Sequence, residues 1–269
     1  MLLSVDHVTR YRYDTPARSV VQSHRLTPSR FDGQRLLDWE VSVSGGLAGG
    51  AFRDGAGDWV QGWSVPGPVS EISVTVRGRL ETTDLSGVLR GHREAVPPEC
   101  YLRSTTPTQA DQALADLAAQ CVTASGGLET AHRLSAAVAD AIVYRPGTTH
   151  AHTTAAESLA GGEGVCQDHA HAVLAMARHL GMPARYVSGY LHASEDGTLH
   201  EAAHAWAEVW VAGLGWVGFD PANRCCPDER YIRLGSGLDA QDAAPIRGIA
   251  RGPGVESMDV TVAVQSVQQ

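Results

Sequence analysis

Apolar and polar residues alternate with a period of two through the first third of the chain. Leu37-Asp38-Trp39-Glu40-Val41-Ser42-Val43 and Glu71-Ile72-Ser73-Val74-Thr75-Val76-Arg77 each put apolar side chains on one face and polar ones on the other. Bounded by Gly, Pro or Ser, both read as half-buried strands. Asp54-Gly55-Ala56-Gly57-Asp58 between apolar segments reads as a turn. Strands separated by such turns predict a β-sandwich-like domain over residues 1–96. Pro97-Pro98 and Thr105-Thr106-Pro107 then mark a linker, and the period lengthens.

Beyond the linker the apolar spacing is helical. Leu114, Leu117 and Cys121 share one side of a helix expected to be capped by Thr108, with Asp111 supporting it. A second helix, over about 128–143, turns Leu134, Val138, Ala141 and Ile142 inward. Thr154-Ala155-Ala156-Glu157 has the form of a capping box, opening a short helix that ends at Gly161. From Cys166, the residues Ala170, Val173, Ala177 and Leu180 recur on one stripe, with Gly181 placed as a left-handed stop and Pro183 just beyond. The period then returns to two. Ala184–Leu191 reads as a strand and Glu195-Asp196-Gly197 as a turn. Ala203–Val211 and Trp216–Asp220 read as a hairpin around Ala212-Gly213-Leu214-Gly215. The class expected is α+β, with a core over 105–225 in which helices pack on an antiparallel sheet. In the remaining 226–269, an irregular Gly/Pro-rich stretch precedes one strand, with apolar residues at 258, 260, 262 and 264. A small β domain gains from a strand that covers an edge, so this one is expected to return to the N-terminal domain.

The candidate chemistry lies in Gly164-Val165-Cys166-Gln167-Asp168-His169-Ala170-His171. A glycine-rich approach delivers one cysteine to the start of a helix, where the positive end of the helix dipole favours negative charge on sulfur. On the strand from Ala203, the residues His204, Trp206, Glu208 and Trp210 share a face opposite Ala205, Ala207, Val209 and Val211. Asp220 follows His204 by 16 residues, an even separation that allows both to share a face. The condition is an odd-residue loop or a bulge at Gly213–Gly215; a two-residue turn would send Asp220 to the other side. If it is met, Cys166, His204 and Asp220 form a nucleophile, a base and an orienting carboxylate. The imidazole would take the thiol proton, and the thiolate would attack an amide carbonyl to give a thioester.

Composition narrows the alternatives. The formal charge of −9 over 269 residues disfavours nucleic acid and anionic membrane as partners. No run of 18 apolar residues is present to span a bilayer. MLLSVDHVTR is charged early and has no apolar h-region, so the chain reads as cytoplasmic. The five cysteines lack the spacing of a disulfide framework or a CxxC metal site, which agrees with a reducing compartment. Arg10, Arg12, Arg25, Arg30 and Arg35 read as a solvated strand face. His200-Glu201-Ala202-Ala203-His204 spells the HExxH pattern of zinc peptidases, but two histidines four apart share a face only on a helix, and here the second opens a strand. No metal or other cofactor is therefore expected, and no acidic loop suggests calcium.

Two stretches carry a family resemblance. GVCQDHAHAVLAMARHLGMPARYVSGYL followed by HAWAEVWVAGLGWVGFDPANR resembles the core of the bacterial transglutaminase-like superfamily, of papain-like cysteine-enzyme fold. HVTRYRYDTP and HRLTPS resemble the β-rich N-terminal domain often attached to such cores. The resemblance implies Cys166, His204 and Asp220 as the triad, and a peptide or protein substrate offering an amide or a glutamine side chain. It leaves protease or amidase, transglutaminase and a non-catalytic binding module side by side. His169 stands where relatives often carry an aromatic residue.

Overall fold

The computed structural model describes residues 1–192 and 203–267. The first half of the chain is dominated by two very long strands, β1 (Leu2–His24) and β4 (Trp59–Thr82), which run antiparallel side by side. Their register slips between Arg12 and Ser19. There Pro16, Pro66 and Pro68 have no N–H to offer the ladder, so pairing cannot continue unbroken. The slip divides one sheet into two halves. On one side β2 (Gln34–Val43) pairs with the second part of β4; on the other β3 (Leu47–Arg53) pairs with its first part.

Helices follow. α1 (Gln112–Cys121) begins one turn later than the sequence suggests, because Asp111 accepts from the Leu114 N–H and is the cap, while Thr108 closes a separate 3-10 turn. α2 (Gly127–Ala141) leads into the short β5 (Val143–Tyr144). α3 (Ala155–Gly161) opens on a formed capping box, in which Thr154 and Glu157 bond each other's backbone N–H. β6 (Glu163–Gly164) pairs with β5 and delivers the chain to α4 (Cys166–His179), which Gly181 ends at a φ of 74°. The second sheet comprises β7 (Ala184–Leu191), β8 (Ala203–Val211), β9 (Gly215–Phe219) and β10 (Tyr231–Gly237), in the order β10-β7-β8-β9 and antiparallel throughout. The turn at 195–197 and the first three residues of the HExxH string lie outside the described residues.

Packing follows from the alternation of β8. Ala205, Ala207 and Val209 belong to the same buried cluster as Ala170, Val173 and Ala177, so their small side chains let α4 lie close on the sheet. Arg178, near the end of α4, is buried, and its guanidinium donates to the carbonyl oxygens of Tyr101, Ala184 and Leu238 and to Thr108 Oγ1. That pins the helix at the end opposite the cysteine.

The last two strands return to the first sheet. β11 (Ile246–Arg251) pairs with the second part of β1, and β12 (Glu256–Ser266) with its first part, from Leu3↔Ser266 to Tyr13↔Glu256. The seam between the two sheets is apolar in one zone, where Tyr190, Ile232 and Leu234 join the cluster of Val5, Val20 and Ile72. In another zone it is ionic. Arg233 bonds both Asp58 and Glu208 inside the protein, and buried Arg185 bonds Glu208 and the half-buried Glu94. The Arg185 guanidinium also lies 4.1 Å from the ring centre of Trp216. Burial resists charge on Glu208, but the two arginines overcome it and hold its carboxyl at about 2.

Candidate active site

The geometry of the site depends on the β8–β9 turn. Val211 pairs with Gly215, leaving Ala212, Gly213 and Leu214 as a three-residue loop, and Glu208 pairs with Gly218. Gly213 and Gly215 take φ of 84° and 86°, values open to glycine and costly for other residues. The odd loop preserves parity, so Asp220, one residue past β9, falls on the face of His204. His204 Nε2 and Asp220 Oδ2 are 2.6 Å apart, with both side chains buried.

Cys166 reaches the same ring. It is half-buried at the first position of α4, near enough to His204 that it joins Asp220 in favouring the protonated ring. Nε2 is taken by Asp220, which leaves Nδ1 for the thiol. Burial disfavours charge on His204; the hydrogen bonds to Asp220 and Cys166 outweigh it and lift the ring to about 10. The protonated imidazole is thus the favoured form over the neutral range.

Asp220 is itself braced. Its Oδ2 accepts from the Tyr231 hydroxyl at 2.7 Å and from Asn223 Nδ2 at 2.7 Å, and its Oδ1 from the Asn223 backbone N–H at 3.2 Å. Burial pushes its carboxyl upward, but the His204 bond and charge, with Asn223 and Tyr231, hold it below the ordinary carboxylate value. Tyr231 has a further partner, the Cys225 sulfur at 3.3 Å. Because the hydroxyl proton is given to Asp220, Tyr231 oxygen is the acceptor in that contact. Sequence reasoning missed this brace. Asn223 lies only three residues beyond Asp220 and could have been suspected as a local side chain-to-backbone bond. Tyr231 lies across an irregular segment that shows no period, and only the fold brings it back.

The first turn of α4 is tied to its surroundings on several sides. Asp168 Oδ2 accepts from the Val165 N–H at 2.8 Å and from Thr149 Oγ1 at 2.6 Å. His169, in place of an aromatic residue, sets its ring nitrogens 2.9 Å from the Val165 and Ile142 carbonyl oxygens, joining the turn to the end of α2. His171 points elsewhere, and its Nε2 accepts from the Ala240 N–H at 3.1 Å. As the first residue of the helix, Cys166 has a backbone N–H without an intrahelical acceptor. Such an N–H beside the thiol can receive an oxyanion. Of the tryptophans on this hairpin, Trp206 and Trp216 are buried, while Trp210 is half-buried. His204 begins a strand and is held by Asp220; His200 lies outside the described residues.

Comparison with known proteins finds relatives over most of the chain. Residues 115–221 match the transglutaminase-like superfamily, and residues 3–81 match the bacterial transglutaminase-like N-terminal region. An uncharacterised protein of Mycobacterium leprae is 31% identical over 97% of this chain and 98% of its own. A protein-glutamine gamma-glutamyltransferase of Pseudomonas aeruginosa is 32% identical over a shorter span, 34% of this chain and 14% of that protein. The crystal structure of a candidate cysteine protease from Cytophaga hutchinsonii superposes with a TM-score of 0.74 at 21% identity, over 100% of this chain and 92% of that one. At that identity the likeness speaks for the fold.

Proposed function

This chain belongs to the transglutaminase-like superfamily, and from that premise we propose that it is a thiol acyl-transfer enzyme that opens amide bonds of peptide or protein substrates. The observation that carries the reading is a buried imidazole 2.6 Å from a buried carboxylate, its charged form favoured by that carboxylate and by a cysteine at a helix start. Cys166 is the nucleophile. His204 accepts the thiol proton, and its cation, held by Asp220, keeps the thiolate company. The thiolate attacks the amide carbonyl, and the oxyanion is received by the Cys166 N–H. His204 returns the proton to the departing amine or ammonia, leaving a thioester on Cys166. Water activated by His204 then opens the thioester and restores the thiol.

Hydrolysis is the leading form of the reaction, because water needs no binding site of its own. The second reading, transfer of a glutamine acyl group to an amine, draws on the likeness to the Pseudomonas glutamyltransferase. A peptide library containing glutamine, with and without an added primary amine, separates them by mass. Cleaved backbones or free glutamate favour the hydrolase, and amine-bearing products favour the transferase. A library left untouched by active-site-titrated protein contradicts both.

A further inference from the structure

Several arginines lie in the N-terminal half of a chain whose net charge is −9. Of the arginines read as a solvated face, Arg12, Arg25 and Arg35 are paired with Glu71, Asp54 and Glu81. Arg30 is exposed and forms no side-chain hydrogen bond or ion pair among the described residues. It opens, with Arg35 and Arg53, onto a cavity of about 460 Å³ that also takes in Phe31, Gln34 and Trp59 and has no carboxylate in its lining. Arg53 lies opposite Trp59 across the β3–β4 ladder, its guanidinium 5.6 Å from the indole centre, and its one hydrogen bond goes to the Gly57 carbonyl at 2.8 Å. The segment carrying Arg90 and Arg93 is stitched to the same loops, through the Asp32 N–H to the Arg90 carbonyl at 2.9 Å and His92 Nε2 to the Ala56 carbonyl at 2.7 Å. Both arginines are exposed and unpaired among the described residues.

We propose that this corner is a docking site for an acidic segment of a polypeptide. Guanidinium groups are planar forks that match carboxylates two bonds at a time. Phe31 and Trp59 add apolar contact that carboxylates alone do not use. An extended polyanion such as nucleic acid would have to overcome the negative field of the whole molecule, whereas a short acidic stretch meets the arginines locally. The location also connects to the triad. Gln34 and Ser29 bond the backbone of Arg233 on β10, and Phe31 lines a second, smaller cavity with Trp206 and Tyr231, the residue that donates to Asp220.

The test is fluorescence anisotropy with a labelled glutamate-rich peptide carrying one tryptophan, against a lysine-rich peptide, a single-stranded oligonucleotide and inorganic phosphate. The full chain binds the acidic peptide, more weakly as salt is raised, and the lysine-rich peptide not at all. Arg30→Gln/Arg53→Gln weakens binding about 10-fold, and Arg30→Gln alone, which removes only an exposed side chain, about 3-fold. Cys166→Ala binds as the parent does, so a failure of docking is distinguishable from a failure of the catalytic reading. Undiminished binding in Arg30→Gln and in the double variant overturns the proposal. So does displacement of the peptide by oligonucleotide or phosphate at equal concentration.

Discussion

His204 on β8 and Asp220, just past the end of β9, are 16 residues apart in the chain and meet at 2.6 Å because the loop between the strands has three residues. A loop one residue shorter would turn the carboxylate to the opposite face of the sheet. The consequence for chemistry is a histidine lifted to about 10, whose charged form is stable well above neutral pH.

The sign of the pH dependence follows. The proposed reaction needs His204 as a cation beside the thiolate, so kcat/KM on a small amide falls as pH rises through about 10. Asp220→Asn removes the charge that raises the ring, and the alkaline limb then moves to lower pH. The same group contributes to stability. Its folded value lies above the unfolded 6.5, so the contribution is complete below 6.5 and is lost as pH rises toward about 10. Thermal melts across this range check it, with the parent losing Tm over that interval more steeply than His204→Gln.

Tyr231→Phe removes one of the donors on Asp220 Oδ2 without opening a cavity. The carboxylate becomes a stronger acceptor for His204, and the imidazolium a weaker acid toward the leaving group. We expect kcat to fall about 3- to 10-fold at unchanged KM. The alkaline limb should shift upward, which a merely structural role would not produce. Histidine-detected NMR titration of His204 measures the shift directly.

Glu208→Ala leaves Arg185 and Arg233 with fewer counter-charges in the seam between the sheets. Removing one partner from a buried ionic group costs about 3–5 kcal/mol, far more than an exposed pair. Denaturant unfolding of the variant should show that loss. A change below about 1 kcal/mol would mean that water already reaches the network.

Gly189 pairs with His204 on the β7–β8 ladder, and a side chain there would run into the Ile232 carbonyl and the Trp206 ring. Gly189→Ala should cost about 1–3 kcal/mol by forcing the ladder apart. Because the displaced strand carries His204, activity should fall more than stability does; equal activity per folded molecule in the variant contradicts this.

Much of this was legible because periodicity reports burial. The Cys166 helix, the strand at Ala184–Leu191 and the hairpin at Ala203–Val211 show clear 3.6- or two-residue patterns, and the parity of 204 and 220 reduced the site to one question about loop length. The rest was hidden for physical reasons. Arg185, Glu208 and Arg233 are charged, and charged residues are ordinarily outside, so nothing in their pattern marks a buried seam. Tyr231 depends on a contact across an irregular segment, which no local period encodes. The cap of α1 was misplaced by three residues because Thr108 and Asp111 are both good caps, and tertiary packing of Thr108 against Arg178 decided between them.

The central claim is that Cys166 carries the acyl group. It is tested most directly by acid-quenching the protein during turnover of an activated amide or ester and locating the adduct by mass spectrometry. The account predicts an acyl group on Cys166, present in the parent, absent in Cys166→Ala with its fold intact, and strongly reduced in His204→Ala. Turnover that proceeds with an adduct on Cys225 or Cys226, or that survives in Cys166→Ala, would contradict it.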